Sequence, residues 1–365
     1  MKSKVAVAMS GGVDSSVAAA WLHQQCYEVI GITMEHLDAS LLPAQGGLRH
    51  PSQPSRDAAI ICRQLGIEHH VVDLHALFEK TVIDYFVSEY MAGRTPNPCV
   101  HCNVHIKWGA LWEFGRRCGA ELFATGHYCR VQIDPQTGRY VLQQAVHRAK
   151  DQSYALWRLS QEQLRCTLFP LGGWSKEEVR TKAREWNLAV AQKRESQEIC
   201  FVLDDDFRRF LIDRLAQAGH MISSGDFVDR TGAVIGRHRG FPFYTIGQRK
   251  GLGIALGRPV FVCEIDPGNN RIRLGDKHEL LAFGLRASHT NWLAWPQPAV
   301  GAQVEARIRY KDPGFTATIE QVEQDSVILQ FAQPRPAVTP GQSVVCYQGD
   351  RLVGGGIIEK ALHRV

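Results

Sequence analysis

Two groups of residues carry the chemistry this sequence can do. The first is Ser10-Gly11-Gly12-Val13-Asp14-Ser15-Ser16, which joins the apolar run Val5–Met9 to an apolar-periodic stretch from Val13 to Gln25. A strand that turns through glycines straight into a helix aims backbone N–H groups and hydroxyls at the helix N-terminus, where an anion is held. Gly11 and Gly12 permit close backbone approach, and Ser10, Ser15 and Ser16 can donate to phosphate oxygens. Asp14 is the odd member, because a carboxylate repels phosphate unless Mg²⁺ or the loop's own amides engage it, so the string reads as a metal-assisted nucleotide site. It lacks the Gly-Lys-Ser/Thr of a Walker A loop, which disfavours transfer of a γ-phosphoryl group.

The second group is a pair of cysteines. Cys102 lies in Arg94-Thr95-Pro96-Asn97-Pro98-Cys99-Val100-His101-Cys102-Asn103, a two-proline loop feeding a helix expected over Ile106–Cys118. Proximity to a helix N-terminus, with His101, His105 and Lys107 nearby, is expected to lower the thiol pKa from its free value of about 8.5. Cys200, in Arg194-Glu195-Ser196-Gln197-Glu198-Ile199-Cys200-Phe201-Val202, reads alone as a buried core thiol and gains weight only beside its partner. The remaining Cys26, Cys62, Cys118, Cys129, Cys166, Cys263 and Cys346 read as small buried hydrophobes. Ten cysteines in a chain without a signal peptide suit reduced thiols better than a disulfide framework.

The elements that must position these groups alternate. Val5–Met9, Val29–Met34, His69–Leu74 and Glu121–Thr125 read as strands, and Val13–Gln25, Arg56–Leu65, Leu77–Ala92 and Ile106–Cys118 as helices, which argues for a parallel sheet covered by helices. Ala39–Ser55, rich in Pro and Gly, reads as a loop. Helices are also expected over Gln161–Leu164, Lys176–Trp186 and Phe207–Ala218. Beyond Ala287, the alternating strands Val304–Tyr310, Thr316–Val322, Ser326–Phe331, Ser343–Tyr347 and Arg351–Ile358 signal a small β-barrel. The fold class is therefore α/β, with a doubly wound N-terminal sheet, a small mixed α+β middle region and a C-terminal β-barrel. The 365 residues divide into domains at 1–200, 201–285 and 286–365. A net charge of +5 permits an anionic partner without establishing one. No apolar run approaches the roughly 20 residues of a membrane helix, and the cytoplasm is the expected location.

The chain resembles the tRNA-specific 2-thiouridylases, a branch of the N-type ATP pyrophosphatases, or PP-loop family, with an adenine nucleotide alpha hydrolase-like N-terminal domain. The resemblance is carried by Ala8–Ser16, Thr95–Asn103 with Ile106-Lys107, Ala124-Thr125-Gly126-His127-Tyr128, Lys150-Asp151-Gln152-Ser153-Tyr154, Ser196–Val202, Tyr244–Leu252, Ala306–Tyr310 and Pro340-Gly341-Gln342, in the family's order. It implies ATP, with Mg²⁺, on Ala8, Met9, Ser10, Gly11, Gly12, Val13, Asp14 and Ser15, with Met34 beside the adenine and Gly126 closing the pocket. It implies a catalytic Cys200 persulfide, loaded by a sulfur carrier or a cysteine-desulfurase-derived donor, and a catalytic Cys102 that attacks it, with Asp14 assisting adenylation. For tRNA it implies Asn97, Pro98, Cys99 and His127 at the target base, and Lys150, Asp151, Gln152, Arg309, Tyr310 and Gln342 along the strand. A membrane or DNA partner is not implied.

Two departures bear on the mechanism. Cys99 makes a Cys-Xaa-Xaa-Cys pair with Cys102 where some relatives carry Asp, so Cys99, Cys102 and Cys200 are candidate ligands of a [4Fe-4S] cluster with an open coordination site, zinc being the weaker option. Glu35–Ser55 is His-, Pro- and Gly-rich where relatives are acidic, which leaves its role open. Competing functions are an amidating ligase of the argininosuccinate or GMP synthetase type, which would need neither cysteine nor barrel, and a non-catalytic RNA-binding protein, against which the intact loop argues.

Overall fold

The computed structural model describes residues 2–37, 52–194 and 199–363, which fall into two compact units. The first comprises residues 1–82, 99–201 and 350–353, and the second residues 83–98, 202–349 and 354–365. The expected loop segment 39–51 and the first three residues of the Ser196–Val202 string, 196–198, lie outside the described residues.

The first unit is built on five strands: β1 (Lys4–Ala8), β2 (Glu28–Glu35), β3 (Glu68–Asp73), β4 (Leu122–Ala124) and β7 (Thr167–Leu168). They lie in the order β3-β2-β1-β4-β7 and every pairing is parallel. Parallel strands buried on both faces need continuous apolar runs, and Val5, Ala6 and Val7 are fully buried as that requires. Helices α1 (Val13–Gln24) and α2 (Gln53–Leu65) follow the first two strands. The order reverses at β1, so β1 and β4 neighbour each other and send their chains in different directions. A crevice outside the carboxyl ends of such strands is where α/β sheets bind ligands. Ser10–Ser16 leaves β1 there, and Thr125–Tyr128 leaves β4.

Differences from the sequence expectation have physical causes. Helix α2 begins at Gln53 and not Arg56, because Ser52 caps it and Pro54 is tolerated in the first turn. An antiparallel hairpin, β5 (Cys129–Ile133) and β6 (Tyr140–Gln144), was not foreseen, since its turn Asp134–Gly138 carries the only strong local signal. This unit also takes in Asp350–Val353, with Arg351 paired to Gln143, Arg130 bound to Asp350 at 2.7 Å and Arg351 bound to Asp134. Helix α3 (Lys176–Glu185) starts with a reciprocal capping box between Ser175 and Glu178.

The second unit contains helix α4 (Phe207–Gln217) and a sheet of β8 (Gly225–Val228), β9 (Val234–His238), β10 (Phe261–Asp266) and β11 (Arg271–Gly275) in the order β10-β11-β8-β9. Its barrel has β12 (Leu281–Trp292), β13 (Gln303–Arg307), β14 (Phe315–Val322), β15 (Ser326–Pro336), β16 (Ser343–Gln348) and β17 (Arg351–Leu362). The order β12-β15-β14-β13-β16-β17 closes through β12–β17, which removes exposed sheet edges. The expected fold class is met: a doubly wound parallel sheet, a mixed middle region and a closed barrel.

Phe123 of β4 is fully buried, edge-on to Trp108 at 5.5 Å and tilted against Trp112 at 5.5 Å. Phe123→Ala is expected to destabilise the first unit by about 3–5 kcal/mol, read as a lowered denaturant midpoint.

Candidate active site

The loop starts where β1 stops. Met9 N–H still donates to Ile32 O at 2.8 Å, after which Gly11 turns the chain with φ +64. A Cβ on Gly11 would sit 2.4 Å from the Pro54 carbonyl oxygen, so both its dihedral and its surroundings require glycine. Ser15 Oγ accepts from Ser10 N–H and lies 3.2 Å from Ser10 Oγ, while the Ser15 and Ser16 hydroxyls donate to Gly12 O at 3.3 and 2.8 Å. Gly12 caps α1 without a side-chain bond, leaving the first-turn N–H groups to a ligand. Gly126 closes in from the end of β4, where a Cβ would meet Ser15 N at 2.7 Å and Asp14 C at 2.9 Å. Met34 lies half-buried near the end of β2, opposite Val72.

Asp14 departs from its sequence reading. Its Oδ1 accepts from Lys176 Nζ at 2.6 Å and from Tyr128 OH at 2.7 Å, and Lys176 also lies over the Tyr128 ring at 5.9 Å. The carboxylate is therefore neutralised by a lysine from α3, not by the loop's own amides. Lys193 sits at the other side of the loop, donating to Gly11 O at 2.9 Å and to Asp57 Oδ2 at 2.5 Å. Among the described residues no three His, Cys, Asp or Glu side chains are grouped to hold a metal ion. This donor set does not fit a resident Mg²⁺ cage, nor a cluster on Cys99, Cys102 and Cys200, and no step of the mechanism runs through either.

Residues expected along the RNA hold this loop in place. Asp151 is buried, and its carboxylate accepts from Ala145 N–H, Ser153 N–H, Ser153 Oγ and Gln144 Nε2 at 2.8–3.3 Å. Gln152 Oε1 accepts from Tyr128 N–H at 3.0 Å, and Gln152 N–H donates to Tyr128 O at 2.9 Å. A chain of contacts thus runs from Asp151 and Gln152 through Tyr128 to Asp14. Lys150 ends the adjoining 3₁₀ turn Arg148–Lys150.

Cys99 and Cys102 occupy a helix that starts earlier than the sequence suggested. Pro98–Cys102 is helical and continues as a π-helix over Asn103–Leu111, with Pro98 at the start position that proline favours. All ten cysteines are free. Burial pushes Cys102 up to about 11, with Lys107 opposing and Cys99 adding to the rise. Cys99 and Cys200 are also raised by the protein around them, again against Lys107, and Cys200 is raised further by Cys102 and Cys99. Cys99 and Cys200 present surface to solvent, which softens the effect there; the rise is firmest at Cys102, which is buried outright. The expected lowering of the Cys102 pKa does not occur, because desolvation outweighs the neighbouring cation. His127 is held well below the ordinary histidine value by burial and then by Lys107, and its Nδ1 lies 2.8 Å from Thr125 Oγ1, so its imidazole is neutral at pH 7.

In the second unit, Arg309 and Tyr310 lie in the turn after β13 and not on a strand, with Arg309 Nε 3.9 Å from Asp312. Gln342 Nε2 donates to the carbonyls of Thr95 and Pro96 at 3.0 Å each, so its amide N–H groups brace the segment leading to Asn97 and Pro98. The unforeseen participants are Lys176, Lys193 and Tyr128, while Lys107, expected beside Cys102, acts on all three thiols. Lys176 carried one signal: a lysine in the first helical turn opposes the macrodipole and needs another reason to be there.

In a variant keeping Cys102 alone of the three thiols, alkylation by a small thiol reagent is expected to accelerate about tenfold per pH unit from pH 7 to 10, with no plateau below the folded pKa. A plateau below pH 9, read from the rate profile, contradicts the desolvated thiol.

Three family descriptions match the chain: a tRNA methyl transferase HUP domain over residues 3–204, a tRNA methyl transferase PRC-barrel domain over 209–276, and an aminomethyltransferase beta-barrel domain over 283–358. The tRNA-specific 2-thiouridylase of Carboxydothermus hydrogenoformans is 47% identical over 365 residues, covering 99% of each chain. Those of Heliobacterium modesticaldum, at 48% over 99% of this chain and 94% of the relative, and Clostridioides difficile, at 45% over 99% of each, are similar along the same length. A loop at the switch point of a parallel sheet, three electrostatically coupled thiols in the same unit and this full-length identity place the chain in the family of tRNA-specific 2-thiouridylases.

Proposed function

We propose that the chain uses ATP to activate O2 of a tRNA wobble uridine and replaces that oxygen with sulfur. The observation that carries the reading is the occurrence, within one unit, of an anion-holding loop at the sheet's switch point and three thiols coupled to one another and to Lys107. ATP would lie with its phosphates on Ser10–Ser16 and its adenine toward Met34. The target base must leave its stack to reach this pocket. Uridine O2 attacks the α-phosphate, the bond to the bridging oxygen breaks, and pyrophosphate departs; a poor leaving oxygen has become part of AMP.

Sulfur then comes from a persulfide on Cys200. In one route Cys102, as thiolate, attacks the inner sulfur, forming a Cys102–Cys200 disulfide and expelling hydrosulfide, which adds to C2 and displaces AMP. In the other, the outer persulfide sulfur adds to C2 as AMP leaves, and Cys102 attacks Cys200 Sγ to free the thiolated base, leaving the same disulfide. Either way, a thiol reductant returns the two cysteines to their free state. The domain descriptions speak of methyl transfer, but phosphate-loop and thiol chemistry together are equipment for adenylation and sulfur delivery. The same thiols argue against an amidating ligase, which has no use for them.

Cys200→Ser is expected to abolish thiolation while leaving tRNA-dependent pyrophosphate release, with nucleosides read by mass spectrometry after incubation with ATP and a persulfide donor. Persistent 2-thiouridine would refute the two-cysteine route. Asp14→Ala is expected to stop conversion of ATP to AMP, and retained turnover would displace the nucleotide from this loop.

A further inference from the structure

The loop string contains an acid and no base, yet its ligand is a polyanion. As uridine O2 attacks the α-phosphate, negative charge grows on the oxygen bridging to the β-phosphate, where fixed positive charge gives the largest gain. Hydroxyls and helix N–H groups supply only partial charges.

Resting on the nucleotide reading above, we propose that Lys176 and Lys193, both far outside the loop in sequence, are the cations that bind the pyrophosphate half of ATP. They would supply from α3 and from the segment after it what a Walker A loop carries as its own lysine.

The two ammonium groups bracket the loop. Lys193 Nζ donates to Gly11 O at 2.9 Å and to Asp57 at 2.5 Å, which among the described residues engages two of its three N–H donors. Lys176 Nζ is 2.6 Å from Asp14 Oδ1, and Lys176 is only 8% exposed, so its charge acts across poorly screened surroundings. A buried ion pair is seldom better for stability than apolar residues of the same volume, so stability alone does not explain Lys176. Nor is its place favourable for its helix, since it stands at the positive end of α3. Lys176 pairs with Asp14 and Lys193 with Asp57, which offsets their charge before a phosphate enters. Tyr128 OH shares the Asp14 oxygen with Lys176, and within the loop the Ser10 and Ser15 hydroxyls lie 3.2 Å apart.

The test is calorimetric titration of the full chain with inorganic pyrophosphate, ATP and AMP. Lys176→Met and Lys193→Met are each expected to weaken pyrophosphate and ATP binding at least tenfold while changing AMP affinity less than twofold, and Lys→Arg at either position should recover most of the loss. Unchanged pyrophosphate affinity in both Met variants overturns the proposal. So does an equal loss for all three ligands, which would mean that the loop has lost its shape and not its charge. A native chain that binds neither ATP nor pyrophosphate would instead refute the nucleotide reading itself, a result distinct from a native chain that binds both and is indifferent to the lysines. If thermal unfolding shows that Lys176→Met does not fold, the partly exposed Lys193→Met decides the question.

Discussion

One carboxylate oxygen, Asp14 Oδ1, receives both the Lys176 ammonium and the Tyr128 hydroxyl. Charge-assisted bonds of this length are about twice as strong as neutral ones, and here they tie together three stretches far apart in sequence: the first turn of α1, the chain leaving β4 and the start of α3. The switch point brings the first two to one end of the sheet, and the capping box at Ser175 fixes where the lysine stands. Gly126 is compelled by the same crowding, because any side chain there would drive into the backbone of Asp14 and Ser15. The nucleotide loop is thus held rigid from outside itself, as electrostatic preorganisation demands.

The same economy governs the residues expected along the RNA. Asp151 and Gln152 are committed to Ala145, Ser153 and Tyr128, and Gln342 to Thr95 and Pro96. Side chains bonded in this way act first by shaping the loops that carry their neighbours. Arg309 and Tyr310, exposed in a turn, are the ones with surface to offer a phosphate or a base.

What could be read in the sequence and what could not divide along range. The strands of the parallel sheet announced themselves through runs such as Val5-Ala6-Val7, and the phosphate loop through glycines and serines adjacent in the chain. Lys176 and Lys193 were invisible because their partners Asp14, Gly11 and Asp57 lie more than a hundred residues away. That a lysine from a distant helix reaches Asp14 is something sequence spacing cannot reveal. The helix start at Pro98 was missed because two prolines around Asn97 look like a loop, although proline is also the residue that opens a helix. The sign of the Cys102 shift was misjudged because local charge can be read from neighbours, whereas desolvation depends on everything packed around the sulfur. The π register of Asn103–Leu111 has no sequence signature at all.

The strand segment Asp350–Val353 belongs to the first unit, where Arg351 pairs with Gln143 and binds Asp134. The unit that carries the glycine-serine loop and the thiols therefore takes a piece from far beyond the rest of its residues. On the ribosome, the first two hundred residues would emerge with the β6 edge still open, and that edge stays open until residues 350–353 follow. A message cut short before residue 350 would yield a polypeptide holding the glycine-serine loop and the three thiols but lacking the strand segment that pairs with this edge. Such a fragment would be sticky, and quality control would have a structural reason to remove it before it could meet tRNA.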